Sequence, residues 1–249
     1  FDNQSALVRQ KRRIMLQSTY SDKSEDAFVL HENDLRKLWQ KLEAYGCSVT
    51  ATVKFSDKVE RKVSNIEDLL GFENSKKRSI QSINFQSRSE DNHNWTSIEF
   101  GSSIYRTITV SSSGDDELVT KVSDELTEFT SGIKPWYSSV SRLDVIWLIF
   151  VPFVLVFVFA DMMHASSSED VALTFRQSAT AIGVIAAIFL GLYLSHKILG
   201  TWKNYLFPIA SFAIGQGEKR YKNQDQLRFT VVIGFIVSIA ASLFVGFFG

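Results

Sequence analysis

The rhythm of hydrophobic and polar positions along this chain changes several times, and each change predicts an element. Between 34 and 45 the apolar residues Leu35, Leu38, Trp39 and Leu42 recur at helical spacing, and Gly46 supplies a stop. From 48 to 55 the period drops to two. Val49, Ala51, Val53 and Phe55 alternate there with Ser48, Thr50, Thr52 and Lys54, the pattern of a half-buried strand. Ser56 and Asp57 read as a tight turn into a second strand at 58–63. Ser64 and Glu67 form a capping box for a short helix that Gly71 ends. Further strands are predicted at 79–87, 95–100 and 104–111, the last two joined through Gly101, Ser102 and Ser103. A final helix at 115–131 places Leu118, Val119, Val122, Leu126 and Phe129 on one stripe, with Gly132 as cap.

Strand runs joined by tight turns imply an α+β domain, an antiparallel sheet with helices on one face, assigned to residues 26–137. Residues 1–25 are polar, basic and weakly patterned, and are expected to form a flexible arm. The stretch 21–131 is expected to fold as a unit by itself.

Beyond residue 142 the alternation gives way to long apolar runs. The run 145–160, extended to 143–163, is fenced by Asp144 and Asp161 and has no polar face; Pro152 near its middle predicts a kink. Two more runs cover 179–199 and 229–249. Each is about 20 residues long and so matches a hydrocarbon core of ~30 Å at ~1.5 Å per residue. Residues 138–249 therefore read as an α-helical membrane domain with three transmembrane helices.

The spans differ in their faces. Ala179, Gly183, Ala187, Gly191 and Ser195 recur every four residues in the second, and Gly234, Ser238, Ser242 and Gly246 do so in the third. Small residues at this spacing let another helix backbone approach closely. Two readings follow: the spans pack on each other within one chain, or a stripe faces another subunit. The first span is bulky throughout and is expected to face lipid. The segment 201–217 is too interrupted to span, because Pro208 breaks it. Trp202, Tyr205 and Phe207, with Leu206, Ile209, Phe212 and Ile214, suggest an interfacial or shallow re-entrant element. Gly215 and Gly217 read as a turn, followed by a basic patch, Lys219, Arg220 and Lys222, against anionic lipid.

Charge sets the orientation. The whole chain is formally neutral, but the halves differ: residues 1–141 hold 19 Lys/Arg and 21 Asp/Glu, the remainder 8 and 6. The loop 161–178 has Arg176 as its one basic residue, whereas 197–228 carries Lys197, Lys203, Lys219, Arg220, Lys222 and Arg228. Basic loops stay in the cytoplasm, so the amino-terminal domain is expected inside. The absence of an apolar leader at 1–20 agrees, and compact size suggests a bacterial inner membrane. A chain that opens on Phe1 and stops at the end of an apolar run also reads as a fragment.

The chemistry-bearing residues are sparse. Cys47 stands alone and reads as a small apolar strand-end residue. The pairs Asp91 and His93, and Asp161 and His164, supply two ligands where a metal site needs three or four, and His196 reads as an interfacial anchor. No phosphate-binding glycine loop or nucleophile elbow occurs, and no ionisable residue lies within the core of the second or third span. No cofactor or catalytic residue is expected. The domain is slightly acidic, so nucleic acid is not an expected partner either. These features predict a non-enzymatic membrane protein, partnered by the lipid bilayer, whose cytoplasmic domain binds an unidentified ligand or partner. Its helices would assemble as a homo-oligomer or with another membrane protein, as a sensor-effector or pore. The alternative is a membrane-tethered scaffold or accessory subunit of a larger complex.

Overall fold

The computed structural model describes residues 17–46, 48–90, 93–103, 105–144, 151, 154 and 175–248. Most of the first predicted span, including Pro152, residues 161–174 of the predicted loop, Cys47, Asp91, and the side chains of Ala179, Gly183 and Ala187 lie outside them. The chain divides into two units, residues 1–139 with 209–249, and residues 140–208.

In the first unit six strands form one antiparallel sheet: β1 (Gln17–Ser24), β3 (Ser48–Phe55), β4 (Glu60–Val63), β5 (Ile80–Arg88), β6 (Trp95–Ser103) and β7 (Arg106–Asp115). Their order is β1-β7-β6-β5-β3-β4. One face is apolar because of the two-residue period. Ala51, Val53, Ile83, Phe85, Ile98, Phe100, Ile108 and Val110 are all buried beneath α1 (Glu32–Tyr45) and α3 (Asp116–Gly132). The helices contribute the stripes expected of them: Leu35, Leu38, Trp39 and Leu42 from α1, Val122 and Leu126 from α3. The amino-terminal part is thus an α+β domain with an antiparallel sheet and helices on it.

The structure corrects the boundaries. Residues 17–24 do not belong to a flexible arm; they are an edge strand paired in register with β7 from Gln17↔Asp115 to Ser24↔Ile108. The short helix α2 (Ile66–Leu70) is capped by Asn65, whose side chain accepts from the Glu67 amide at 3.0 Å, rather than by Ser64. Besides β1, two more strands have no counterpart in the sequence pattern. β2 (Phe28–His31) pairs in parallel with β8 (Ala210–Ala213). Residues 209–217 are therefore not an element in the headgroup boundary: Phe212 and Ile214 are buried in the core of the domain. Burying two such side chains contributes about 1.5–3 kcal/mol each. A piece comprising 21–131 lacks both and part of β1, so it is not the complete folding unit.

A short helix, α4 (Ser138–Arg142), follows β-sheet and α3 in the chain. The second unit contains α5 (Phe175–Leu206), on which Phe189, Leu190, Tyr193, Leu194, Ile198 and Leu199 are exposed. Lys203 donates from Nζ to the carbonyls of Ser141 and Leu143 at 2.7 and 2.8 Å, satisfying groups that the end of α4 leaves open. Burial lowers the pKa of this ammonium, opposed by the nearby Asp144 charge.

In the first unit, β8 runs into α6 (Gln216–Phe248), a helix about 50 Å long at ~1.5 Å per residue. Among the described residues one helix is long and apolar enough to cross a membrane, and it is this one, over Gln216–Gly246. Its first turns carry the charges, and from Phe229 onward the sequence has no Asp, Glu, Lys or Arg.

Candidate functional site

β2 is the strand on which the distant parts of the first unit converge. It is short and apolar, so both of its edges must be paired within the protein. On one side lies β8, with the Phe28 amide donating to the Ile209 carbonyl at 3.1 Å and registers from Phe28↔Ala210 to His31↔Ala213. On the other side the Val29 amide donates to the Ile133 carbonyl, just beyond α3, at 3.0 Å. The Ala27 amide donates to Ser138 Oγ at 3.0 Å, and Asp26 accepts from Lys134 Nζ at 2.9 Å. One buried strand thus holds the exit of α3, the start of α4 and the entry to α6.

A clasp of small residues seats β8 and the first turn of α6. Gly215 has φ +52°, a left-handed conformation that favours glycine, and a Cβ there would lie 2.8 Å from the carbonyl oxygens of Phe72 and Glu73. The Gln216 amide donates to the Glu73 carbonyl at 2.8 Å. Asn74 is buried and uses both ends of its amide: Nδ2 donates to the Phe212 carbonyl at 2.8 Å, and Oδ1 accepts from the Ile80 amide at 2.9 Å and from Arg220 Nη2 at 3.2 Å. A Cβ on Gly217 would stand 2.2 Å from the Phe212 carbonyl oxygen and 2.4 Å from Asn74 Nδ2. Gly217→Ala is accordingly expected to destabilise the fold by about 1–3 kcal/mol, as overpacking does. Gly132→Ala, where nothing lies within 4 Å, should cost nothing. Equal melting points for the two variants would remove the clasp from the account.

Further along α6, Arg228 is fully buried between two aromatic rings. Its guanidinium carbon lies 4.3 Å from the Tyr137 ring centroid and 5.0 Å from that of Tyr221. Nη1 reaches Asp225 Oδ1 at 3.0 Å, while Nε and Nη2 have no hydrogen-bond partner among the described residues. Burial pushes the Tyr137 phenol well above its ordinary range against the opposing pull of the Arg228 charge, so the ring stays neutral. Tyr221 also meets the His31 ring edge-on at 5.3 Å, which connects the cluster to the end of β2. On the exposed side Glu218 pairs with Lys222 at 2.8 Å, and that ammonium holds the Glu218 carboxyl below its usual range.

The residues singled out from the sequence have unlike surroundings, each within its own unit. Trp202 and Tyr205 are exposed on α5, Phe207 follows that helix half-buried, and Lys219 and Lys222 are exposed at the start of α6. Arg220 is not an outward-facing cation; it is half-buried and turned onto Asn74. Gly191, Gly234 and Gly246 have nothing within 4 Å of a Cβ position. Ser238 and Ser242 spend their hydroxyls on the carbonyls of Gly234 and Ser238, one turn back in their own helix. Asn74, Tyr137, Tyr221 and Arg228 had no local signal as a group, because each acquires its role from a segment remote in sequence. Among the described residues no three His, Cys, Asp or Glu side chains come together as a metal site would require. Neither a protein-family model, nor a curated protein, nor a solved structure matches the chain.

Proposed function

We propose that the chain is a non-enzymatic integral membrane protein with three transmembrane helices. Its cytoplasmic α+β domain binds a ligand or partner, and its small-residue-striped helices respond by assembling, as a sensor-effector or pore does. The observation that carries this reading is the pairing of β2 with β8. β8, which lies between the second and third apolar runs, is packed on the domain's core, and in this reading a displacement of β2 reaches α6 through it. The same pairing bears on topology. With β2 and β8 on one side of a bilayer, the chain crosses an even number of times between 139 and 209, and the apolar runs 143–163 and 179–199 supply two crossings. The basic residues Lys197, Lys203, Lys219 and Lys222, against Arg176 alone in 161–178, support the cytoplasmic side for the domain.

Labelling tests the topology. With Cys47 replaced by Ser, a cysteine introduced at Ser168 should react with an impermeant reagent on intact cells, and one at the exposed Asn223 should not. The reverse pattern would overturn the orientation, and labelling of both the crossing count.

The assembly is tested on the stripes. The open surface at Gly234 and Gly246 supports close approach by another helix. Replacing Ser238 and Ser242 together, or Gly183 and Gly191 together, by Leu should weaken association by about 1–2 kcal/mol per contact. About 1.4 kcal/mol is tenfold in association, which a detergent-solubilised mass measurement reads as a loss of oligomer. An unchanged subunit number with a lowered melting point would place the stripes within one chain. A wild-type monomer copurifying with a single partner would favour the second reading, a tethered accessory subunit.

A further inference from the structure

We propose that the cavity beside the β8 clasp is an anion site, built for the phosphoryl group of a small molecule or lipid headgroup. The cavity holds about 650 Å³, within the range of small-ligand sites, and is lined by Phe55, Arg61, Phe72, Asn74, Lys77 and Arg78 among others. Arg61 lies on β4, opposite Val53, on the core-facing side of that edge strand. Its guanidinium is held over the rings of Phe55 and Phe72, 5.8 and 5.7 Å from their centroids, and these rings themselves meet edge-on at 5.3 Å. The side chain is exposed, so the fork itself stays open to the cavity. No carboxylate pairs with it among the described residues.

An arginine beside two rings and without a carboxylate partner offers its fork to a bidentate acceptor, and phosphate oxygens match that geometry. Lys77 adds a second cation with no ion pair among the described residues. Arg78 is engaged, since its Nε donates to Asp57 at 2.7 Å, which also cancels one of the two carboxylates on the lining. The other, Glu73, is exposed and contributes its backbone carbonyl to Gln216. The lining therefore presents an excess of positive charge, with Arg61 and Lys77 as its cations without an ion pair among the described residues.

That wall is the reason the site matters to the proposed function, on which this inference rests for its consequence but not for its binding chemistry. The Phe72 to Asn74 loop lines the cavity and also seats Gly215, Gln216 and the Phe212 carbonyl. An anion drawn in by Arg61 and Lys77 would press on the same backbone that fixes the start of α6.

The test uses the full chain in detergent, titrated with inorganic pyrophosphate at constant ionic strength, and in bilayer discs of phosphatidylcholine with or without phosphatidic acid. Pyrophosphate should bind, and Arg61→Gln and Lys77→Gln should each weaken it about tenfold, as loss of a charge-assisted contact does. Lys62→Gln is the control: it removes the same charge from the same strand on the opposite sheet face, opposite Thr52, and should leave binding unchanged. Stabilisation by phosphatidic acid alone, lost in Arg61→Gln, would assign the phosphoryl group to a lipid. Absence of binding in both arms, or an equal loss in Lys62→Gln, would overturn the site. Pyrophosphate binding that leaves amide exchange of β8 unchanged would keep the site and defeat the coupling instead.

Discussion

Asn74→Ala is expected to lower the stability of the first unit by about 3 kcal/mol and to release β8 before the six-stranded sheet opens. The side chain is 3% exposed, and its removal leaves the Ile80 amide and the Phe212 carbonyl without their partners. A buried polar group stripped of its hydrogen bond costs about 1–3 kcal/mol. Asn74 also has φ +46°, a left-handed conformation that Asn tolerates better than Ala does. Asn74→Gly separates the two causes, because glycine accepts the backbone angle yet makes neither side-chain bond; it should recover the smaller, conformational part only. Asn74→Asp keeps the acceptor for Ile80 and Arg220 but turns an oxygen toward the Phe212 carbonyl, so it should also destabilise. Denaturation of the detergent-solubilised chain gives the total. Amide exchange distinguishes local release, because β8 should lose protection while Ile83 and Ile98 in the central strands keep theirs. Wild-type stability in Asn74→Ala would mean that the clasp is geometrically close but energetically idle.

Much of the sheet is legible in the sequence because one of its faces is covered and the other is open. Val49, Ala51, Val53 and Phe55 must alternate with polar residues for that reason, and the same period exposes β5, β6 and the middle of β7. β1 escapes the pattern because it is an edge strand bonded to β7 alone, and only Tyr20 among its residues packs against the core. β2 is too short to show any period, and an all-apolar Phe-Val-Leu run is equally compatible with a helix start.

The segment 209–217 fails for a different reason. Apolar residues that enter a protein core and apolar residues that enter a headgroup boundary have the same composition, and only the partner differs. Phe212 and Ile214 are claimed by Phe28 and its neighbours, with Phe28 and Phe212 edge-on at 5.4 Å. Nothing between Thr201 and Gly217 announces a partner that precedes it by most of the chain. Gly215 and Gly217 come nearest to a local signal: the turn was legible, but its closeness to the Phe72–Glu73 backbone and to Asn74 was not. In the sequence Arg220 and Arg228 look like loop cations for the same reason, since charge alone does not distinguish a hydrated guanidinium from one turned onto Asn74 or enclosed by rings.

Arg228 gives the second large expected effect, and its direction depends on which of two opposing energies dominates. Enclosing a guanidinium with two donors lacking partners among the described residues is costly. Against this stand stacking on Tyr137 and Tyr221, worth up to about 2 kcal/mol per desolvated ring, and the bond to the partly exposed Asp225. Arg228→Ala removes both stacks and the packing of the long side chain, so a loss of about 3 kcal/mol is expected. Arg228→Met keeps much of the volume between the rings and discards the buried charge; its loss should be within about 1 kcal/mol, as when a buried ion pair is replaced by an apolar side chain of similar size. Arg228→Lys retains the charge but substitutes a strongly hydrated ammonium for a flat ion that fits between two rings, and should be at least as damaging as Ala. The expected order of stability is therefore wild type and Met, then Ala and Lys, measured by denaturation of the full chain. If Lys instead proves the best tolerated of the three, charge and not the flat fit between Tyr137 and Tyr221 holds α6 to the domain, and the aromatic account of this junction fails.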